Sequence, residues 1–165
     1  MQDKKAYFDE VYETYVKQIF RFVFLRVNNT QTAEDITSET FLRFWRKIEQ
    51  GKYIDNERAL LYVIARGIII DYYRSKKNIR EVKFEEVADD KQFTNDEIIE
   101  KIYLNEKISK IYKRLETIKK EYREIILLRF VEDLEYAEIA TVLGKKEVAI
   151  RVLLHRAIAT LKGIL

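Results

Sequence analysis

A chain of 165 residues with no proline and only four glycines has few places at which a helix must stop. Its apolar residues recur every three to four positions through nearly its whole length, which predicts an all-α protein. That length suffices for one domain or two small ones to bury a core without a disulfide or metal staple. There is no cysteine and one histidine, so structural zinc, iron-sulfur ligation and thiol chemistry are excluded, and no cofactor is expected.

The helices can be placed by period and punctuation. Lys5 to about Val27 sets Phe8, Val11, Tyr15, Ile19, Phe22 and either Val23 or Phe24 on one side, and Asn28, Asn29 and Thr30 break the pattern. Gln31 to Gln50 carries Ile36, Phe41, Phe44, Trp45 and Ile48 at core spacing, with Gly51 as its stop. After a short loop from Lys52, Asp55 or Asn56 caps a third helix that ends in the basic cluster Arg74, Lys76, Lys77. Residues 78–94 are weakly periodic and acidic, and read as a linker. Thr94 and Glu97 then have capping-box spacing, so a new helix begins there and runs to about Thr117, with Lys120 to Val131 forming the next. The expected organisation is therefore two small helical domains, 1–77 and 95–165, joined by 78–94.

The last third carries the most pointed signal. Leu134, Ile139, Ala140 and Leu143 recur at helical spacing, Gly144 supplies a left-handed stop, and Ile150, Leu154, Ala157, Ile158 and Leu161 rebuild an apolar stripe. This is a helix-turn-helix pattern, whose second helix leaves Lys145, Lys146, Arg151 and His155 on the opposite face, where a helix in a DNA major groove presents its side chains.

Charge follows the same division. The formal total is +3, but residues 1–77 hold 14 Lys/Arg against 11 Asp/Glu, residues 78–110 hold 6 against 9, and residues 111–165 hold 11 against 8. Two mildly basic blocks flank an acidic stretch, as two nucleic-acid-facing modules with a connector that avoids phosphate would. Met1 to Asp9 has no signal-type apolar stretch. The greasiest run, Ala59 to Ile70, is interrupted by Arg66 and is far shorter than the roughly 20 residues a bilayer span needs. A soluble, cytoplasmic protein is expected.

Two blocks carry a family resemblance. AEDITSETFLRFW (33–45), followed by ALLYVIAR (59–66) and DYYRSKK (71–77), resembles the N-terminal domain of extracytoplasmic-function, or group IV, sigma factors of bacterial RNA polymerase. YREIILLRFVEDLEYAEIA (122–140), with LHRA (154–157), resembles their C-terminal domain. The resemblance implies that Asp35, Ser38, Glu39 and Leu42 dock on core polymerase; these four fall at i, i+3, i+4 and i+7 and share one helix face. Ser38 stands where the family often has glutamine. The resemblance further implies that Lys52, Tyr53, Asn56 and Arg58 capture unstacked bases of the minus-ten promoter element, while Arg66, Arg74, Lys76 and Lys77 contact phosphate. Asn56 as a plain helix cap, and Lys76 and Lys77 as a solvated helix end, stay open alternatives.

The resemblance assigns the minus-thirty-five element to the second helix of the helix-turn-helix, with Lys145, Lys146, Arg151, His155 and Arg156 as the contacts. Lys146 replaces the family's small polar cap, and Val152 and Leu153 replace a serine and an arginine. Readout of that element is then either weak or carried by shape and by thymine-methyl contacts from Val148 and Val152. His155 is open between DNA contact and helix packing, and most of the aromatic residues are assigned to the core. An anti-sigma partner is implied as well, and no small-molecule substrate. The competing reading is a helix-turn-helix regulator that works without polymerase; it leaves the Asp35 and Glu39 face and the Tyr53 loop without a task. An enzyme fits least, because no phosphate-binding glycine loop or carboxylate pair is present.

Overall fold

The computed structural model describes residues 3–79 and 106–165, and every regular element among them is helical. The chain divides into two compact units, Met1–Thr94 and Asn95–Leu165. The capping-box residues Thr94 and Glu97, and all of the acidic stretch past Ile79, lie outside the described residues.

In the first unit, α1 (Lys4–Val27), α2 (Thr30–Glu49) and α3 (Glu57–Ile79) pack pairwise into a three-helix bundle. Local chemistry sets each boundary. Asp3 accepts from the amides of Lys5 and Ala6 to start α1. Asn28 ends it in the left-handed conformation, at φ +50°, and Asn29 at once caps α2 by accepting from the Thr32 amide at 2.8 Å. Gly51 follows α2 at φ +69°, a backbone that a Cβ would strain, as the sequence led one to expect. Asn56 starts α3, its Oδ1 accepting from the Ala59 amide at 2.9 Å. Helix α3 continues to Ile79, two residues into the stretch read as linker.

Aromatic side chains fill this bundle. Phe22, Phe24, Phe44 and Tyr62 are fully buried, each worth about 1.5 to 3 kcal/mol of transfer free energy on the usual scale for large apolar side chains. Phe22 meets Tyr62 edge-on at 4.9 Å, and Phe8 contacts Trp45 at 5.3 Å, which ties the start of α1 to the end of α2. Thr37 and Thr40 are buried on α2 without leaving a hydroxyl stranded, since each donates to the carbonyl four residues back at 2.7 Å.

The second unit contains α4 (Glu106–Leu115), α5 (Lys120–Ile126), α6 (Tyr136–Leu143) and α7 (Glu147–Ile164). Lys120 to Val131 is not one uniform helix: from Leu127 to Val131 it widens into a π-turn, closed by the Glu132 amide donating to the Leu127 carbonyl. Ile125, Ile126, Leu127 and Leu128 are all buried, more than one 3.6-period stripe accounts for, while Phe130 is turned out and is 61% exposed. Asp133, at φ +56°, reverses the chain before α6. In α6 the buried positions are Glu138, Ile139 and Val142, while Ala140 and Leu143 of the expected stripe are only half-buried. Glu138 goes inside because its carboxylate has a task there, accepting the Glu135 amide at 3.1 Å and capping the helix.

Candidate nucleic-acid interface

Helix α6, Gly144 and α7 form the helix-turn-helix. Gly144 takes φ +63°, and the Lys145 amide donates back to the Ala140 carbonyl at 3.0 Å, closing the turn. Ile150, Leu154 and Ala157 are buried, so one face of α7 is committed to the core. The other face is thereby fixed toward solvent. It presents Lys145, Lys146, Arg151, His155 and Arg156, all exposed, together with Val148 at 73% exposure and Val152. His155 is thus not a packing residue. Lys146 occupies the N-cap of α7 with no side-chain bond to the helix.

These cations are not equivalent. The Lys145 ammonium lies 3.2 Å from Glu121 Oε1 on α5, so its charge is partly answered within the unit. Arg151 Nη2 lies 3.0 Å from Glu147 Oε1 one turn earlier, and its guanidinium carbon stands 4.6 Å from the Tyr136 ring centroid. Arg129 approaches the same ring to 5.0 Å. Tyr136, Glu147 and Arg129 were not singled out in the sequence. The i,i+4 spacing of Glu147 and Arg151 was legible there; the convergence on Tyr136 was not, because it needs the turn.

In the first unit the α2 face behaves as its spacing foretold. Asp35, Ser38 and Leu42 are exposed, and Glu39 is half-buried beside them. Gln31 donates to Asp35 at 3.0 Å and Arg43 pairs with Glu39 at 2.9 Å, two i,i+4 contacts flanking Leu42, which exposes 43% of its surface. Surface pairs of this kind are worth about 0 to 1 kcal/mol, so a partner can replace them at small cost.

Between α2 and α3, Tyr53 projects from the loop at 88% exposure, the largest apolar side chain so displayed among the described residues. Lys52 and Asn56 flank it and are exposed, and Arg58 is half-buried on the first turn of α3. Along α3, Arg66 is half-buried, Arg74 and Lys77 are exposed, and Lys76 stays close to Tyr72, its ammonium 5.4 Å from the ring centroid. The structure thus gathers Lys52, Tyr53, Asn56 and Arg58 at one end of α3 and Arg74, Lys76 and Lys77 toward its other end, with Arg66 between. No group of three or more His, Cys, Asp or Glu among the described residues is placed to hold a metal.

A helical protein with an exposed cationic face on the second helix of a helix-turn-helix is of the DNA-binding class. Comparison with known proteins is more specific. The sigma-70 region 2 family matches residues 11–79, and the sigma-70 region 4 family matches residues 108–161. The chain is 35% identical over 162 residues to the extracytoplasmic-function sigma factor BldN of Streptomyces coelicolor, covering 96% of this chain and 60% of that protein. It is 27% identical over 159 residues to the sigma factor YlaC of Bacillus subtilis, covering 93% of this chain and 89% of that one. In fold it resembles the sigma factor RpoE of Bartonella quintana, solved with the anti-sigma factor NepR, at a TM-score of 0.68 and 21% identity over 94% of both chains. The chain belongs to the sigma-70 family of RNA polymerase sigma factors, with relatives of the extracytoplasmic-function type. That is a family of transcription initiation factors and not of known enzymes.

Proposed function

We propose that this chain is a group IV sigma factor that brings core RNA polymerase to specific promoters and assists their opening. The observation that carries the reading is the order of the two family regions on two separate helical units, the second with an exposed cationic helix. In this reading residues 1–77 bind core enzyme through Asp35, Ser38, Glu39 and Leu42. They hold the minus-ten element through Lys52, Tyr53, Asn56 and Arg58, with Arg66, Arg74, Lys76 and Lys77 on phosphate. Residues 78–94 connect, and residues 95–165 read the minus-thirty-five element through Lys145, Lys146, Arg151, His155 and Arg156.

The physical chemistry of each surface supports its assignment. An exposed tyrosine beside amide and cationic groups suits a single-stranded base, since stacking contributes about 1 to 3 kcal/mol per base. Cations toward the far end of α3 fix the register of duplex DNA without reading it. The α2 face offers an exposed leucine framed by carboxylates, and suits a protein partner with apolar and basic side chains. No helix among the described residues is long and apolar enough to cross a membrane, and the workplace of such a factor is the cytoplasm. An anti-sigma partner that covers the polymerase-facing surface is part of the reading, supported by the anti-sigma complex in which the structurally similar RpoE was solved.

Mixing the purified chain with bacterial core polymerase tests this. The expected result is a stable holoenzyme that initiates from a subset of a promoter library. Binding to duplex DNA with neither association nor initiation would leave only the polymerase-independent regulator.

A further inference from the structure

Three elements meet around one ring at the start of the helix-turn-helix. Tyr136 is the first residue of α6 and is half-buried. Arg129, from the π-turn, donates its Nη1 to the Leu134 carbonyl at 2.9 Å and stands 5.0 Å from the Tyr136 centroid. Arg151, from the second turn of α7, stands 4.6 Å from the same centroid and is held from its other partner, Glu147, at 3.0 Å. Arg151 is exposed and lies on the solvent-facing side of α7.

We propose that Tyr136, with Glu147, is a positioning residue for Arg151, holding the guanidinium in one place before DNA arrives. The inference rests on the reading that α7 enters a major groove. An arginine at an exposed helix position loses much rotamer freedom when it grips a base edge, and that loss is subtracted from affinity unless the side chain is ordered beforehand. The Glu147 pair alone orders it weakly, because both partners are about half exposed and such pairs are readily screened. The ring adds a second restraint, since the ring quadrupole attracts a guanidinium placed over its face. Arg129, pinned to the turn carbonyl, is the second guanidinium at this ring.

The test uses holoenzyme reconstituted from core polymerase and the full chain, transcribing a promoter library randomised across the minus-thirty-five element. The wild-type chain is expected to enrich a motif, and Arg151→Ala to lose preference at one position of it. Tyr136→Leu is expected to flatten that same position by about two- to fivefold, leaving the minus-ten preference as it was, and Tyr136→Phe, which keeps the ring, to restore it. Arg151→Ala with Tyr136→Leu together is expected to be no worse than Arg151→Ala alone. Wild-type preference at that position in Tyr136→Leu overturns the proposal, as does a uniform loss at every position with Arg151→Ala still selective. If Tyr136→Leu does not fold, Tyr136→Met, which also removes the ring, must flatten the Arg151 position, and failure to do so overturns it. A wild-type chain that enriches no minus-thirty-five motif instead overturns the function assigned to the second unit, a result distinct from all of these.

Discussion

Asn56 carries two demands on one side chain. Its Oδ1 accepts the Ala59 amide and starts α3, and the same residue sits beside Tyr53 where the minus-ten element is expected. Substitution separates the two. Aspartate caps as well as asparagine but lacks the amide, so Asn56→Asp is expected to keep the urea midpoint of the first unit while lowering promoter opening. Asn56→Ala is expected to lose about 1 kcal/mol of stability as well. Wild-type opening by Asn56→Asp would reduce the residue to a cap. Tyr53 carries no such double duty: at 88% exposure it contributes little to the bundle. Tyr53→Ala should therefore leave thermal melting unchanged and slow open-complex formation on the order of 5- to 100-fold, the worth of one stacked base. The identity of these residues and their spacing from the first apolar turn could be read directly, but the degree to which Tyr53 stands clear of the protein could not. Exposure depends on what the neighbouring helices leave uncovered.

Helices differ in how completely their ends are satisfied. Asp3, Asn29 and Asn56 each bond the first turn of their helix, whereas α7 begins at Lys146 with no such bond. Lys146→Ser is expected to stabilise the second unit by about 1 kcal/mol, raising its melting temperature by several degrees, while weakening binding to minus-thirty-five DNA through the lost cation. A stabilised variant with undiminished DNA binding would remove Lys146 from the interface. Gly144, at φ +63°, is the opposite case, and Gly144→Ala is expected to cost roughly 1 to 2 kcal/mol because any Cβ strains that backbone. Both features were visible as a glycine between two helical periods and a lysine where a cap belongs. The π-turn was not visible. The run from Ile125 to Leu128 is apolar in a way that fits a buried helix of any pitch, and only packing in the second unit decides that the ladder widens and Phe130 turns outward.

At the scale of the molecule, a net charge of +3 is too small to bind DNA by bulk attraction, so the placement of individual cations must do it. Neutralising Lys76 or Lys77 should lower the salt dependence of promoter binding by about one phosphate contact each without altering sequence preference. A salt slope equal to wild type would mean those ammonium groups only solvate the end of α3. Glu39→Lys, on the α2 face, should abolish holoenzyme formation by inverting a charge at the proposed docking surface. Because the ion pair of Glu39 with Arg43 lies at the surface, the variant should fold and melt nearly as the parent does.

The sequence by itself determined the all-helical class, the helix-turn-helix, the glycine stops at Gly51 and Gly144, the choice of Asp55 or Asn56 as the cap of α3, and which face of α2 and α7 is left to solvent. These are properties of neighbours within one or two turns, and periodicity and backbone preference report them directly. What only the tertiary structure decided is which distant side chains meet: Tyr136 receiving Arg129 and Arg151, and Lys145 reaching Glu121. Those contacts depend on the angles at which Asp133 and Gly144 fold one helix onto the next, and no spacing along the chain encodes such an angle.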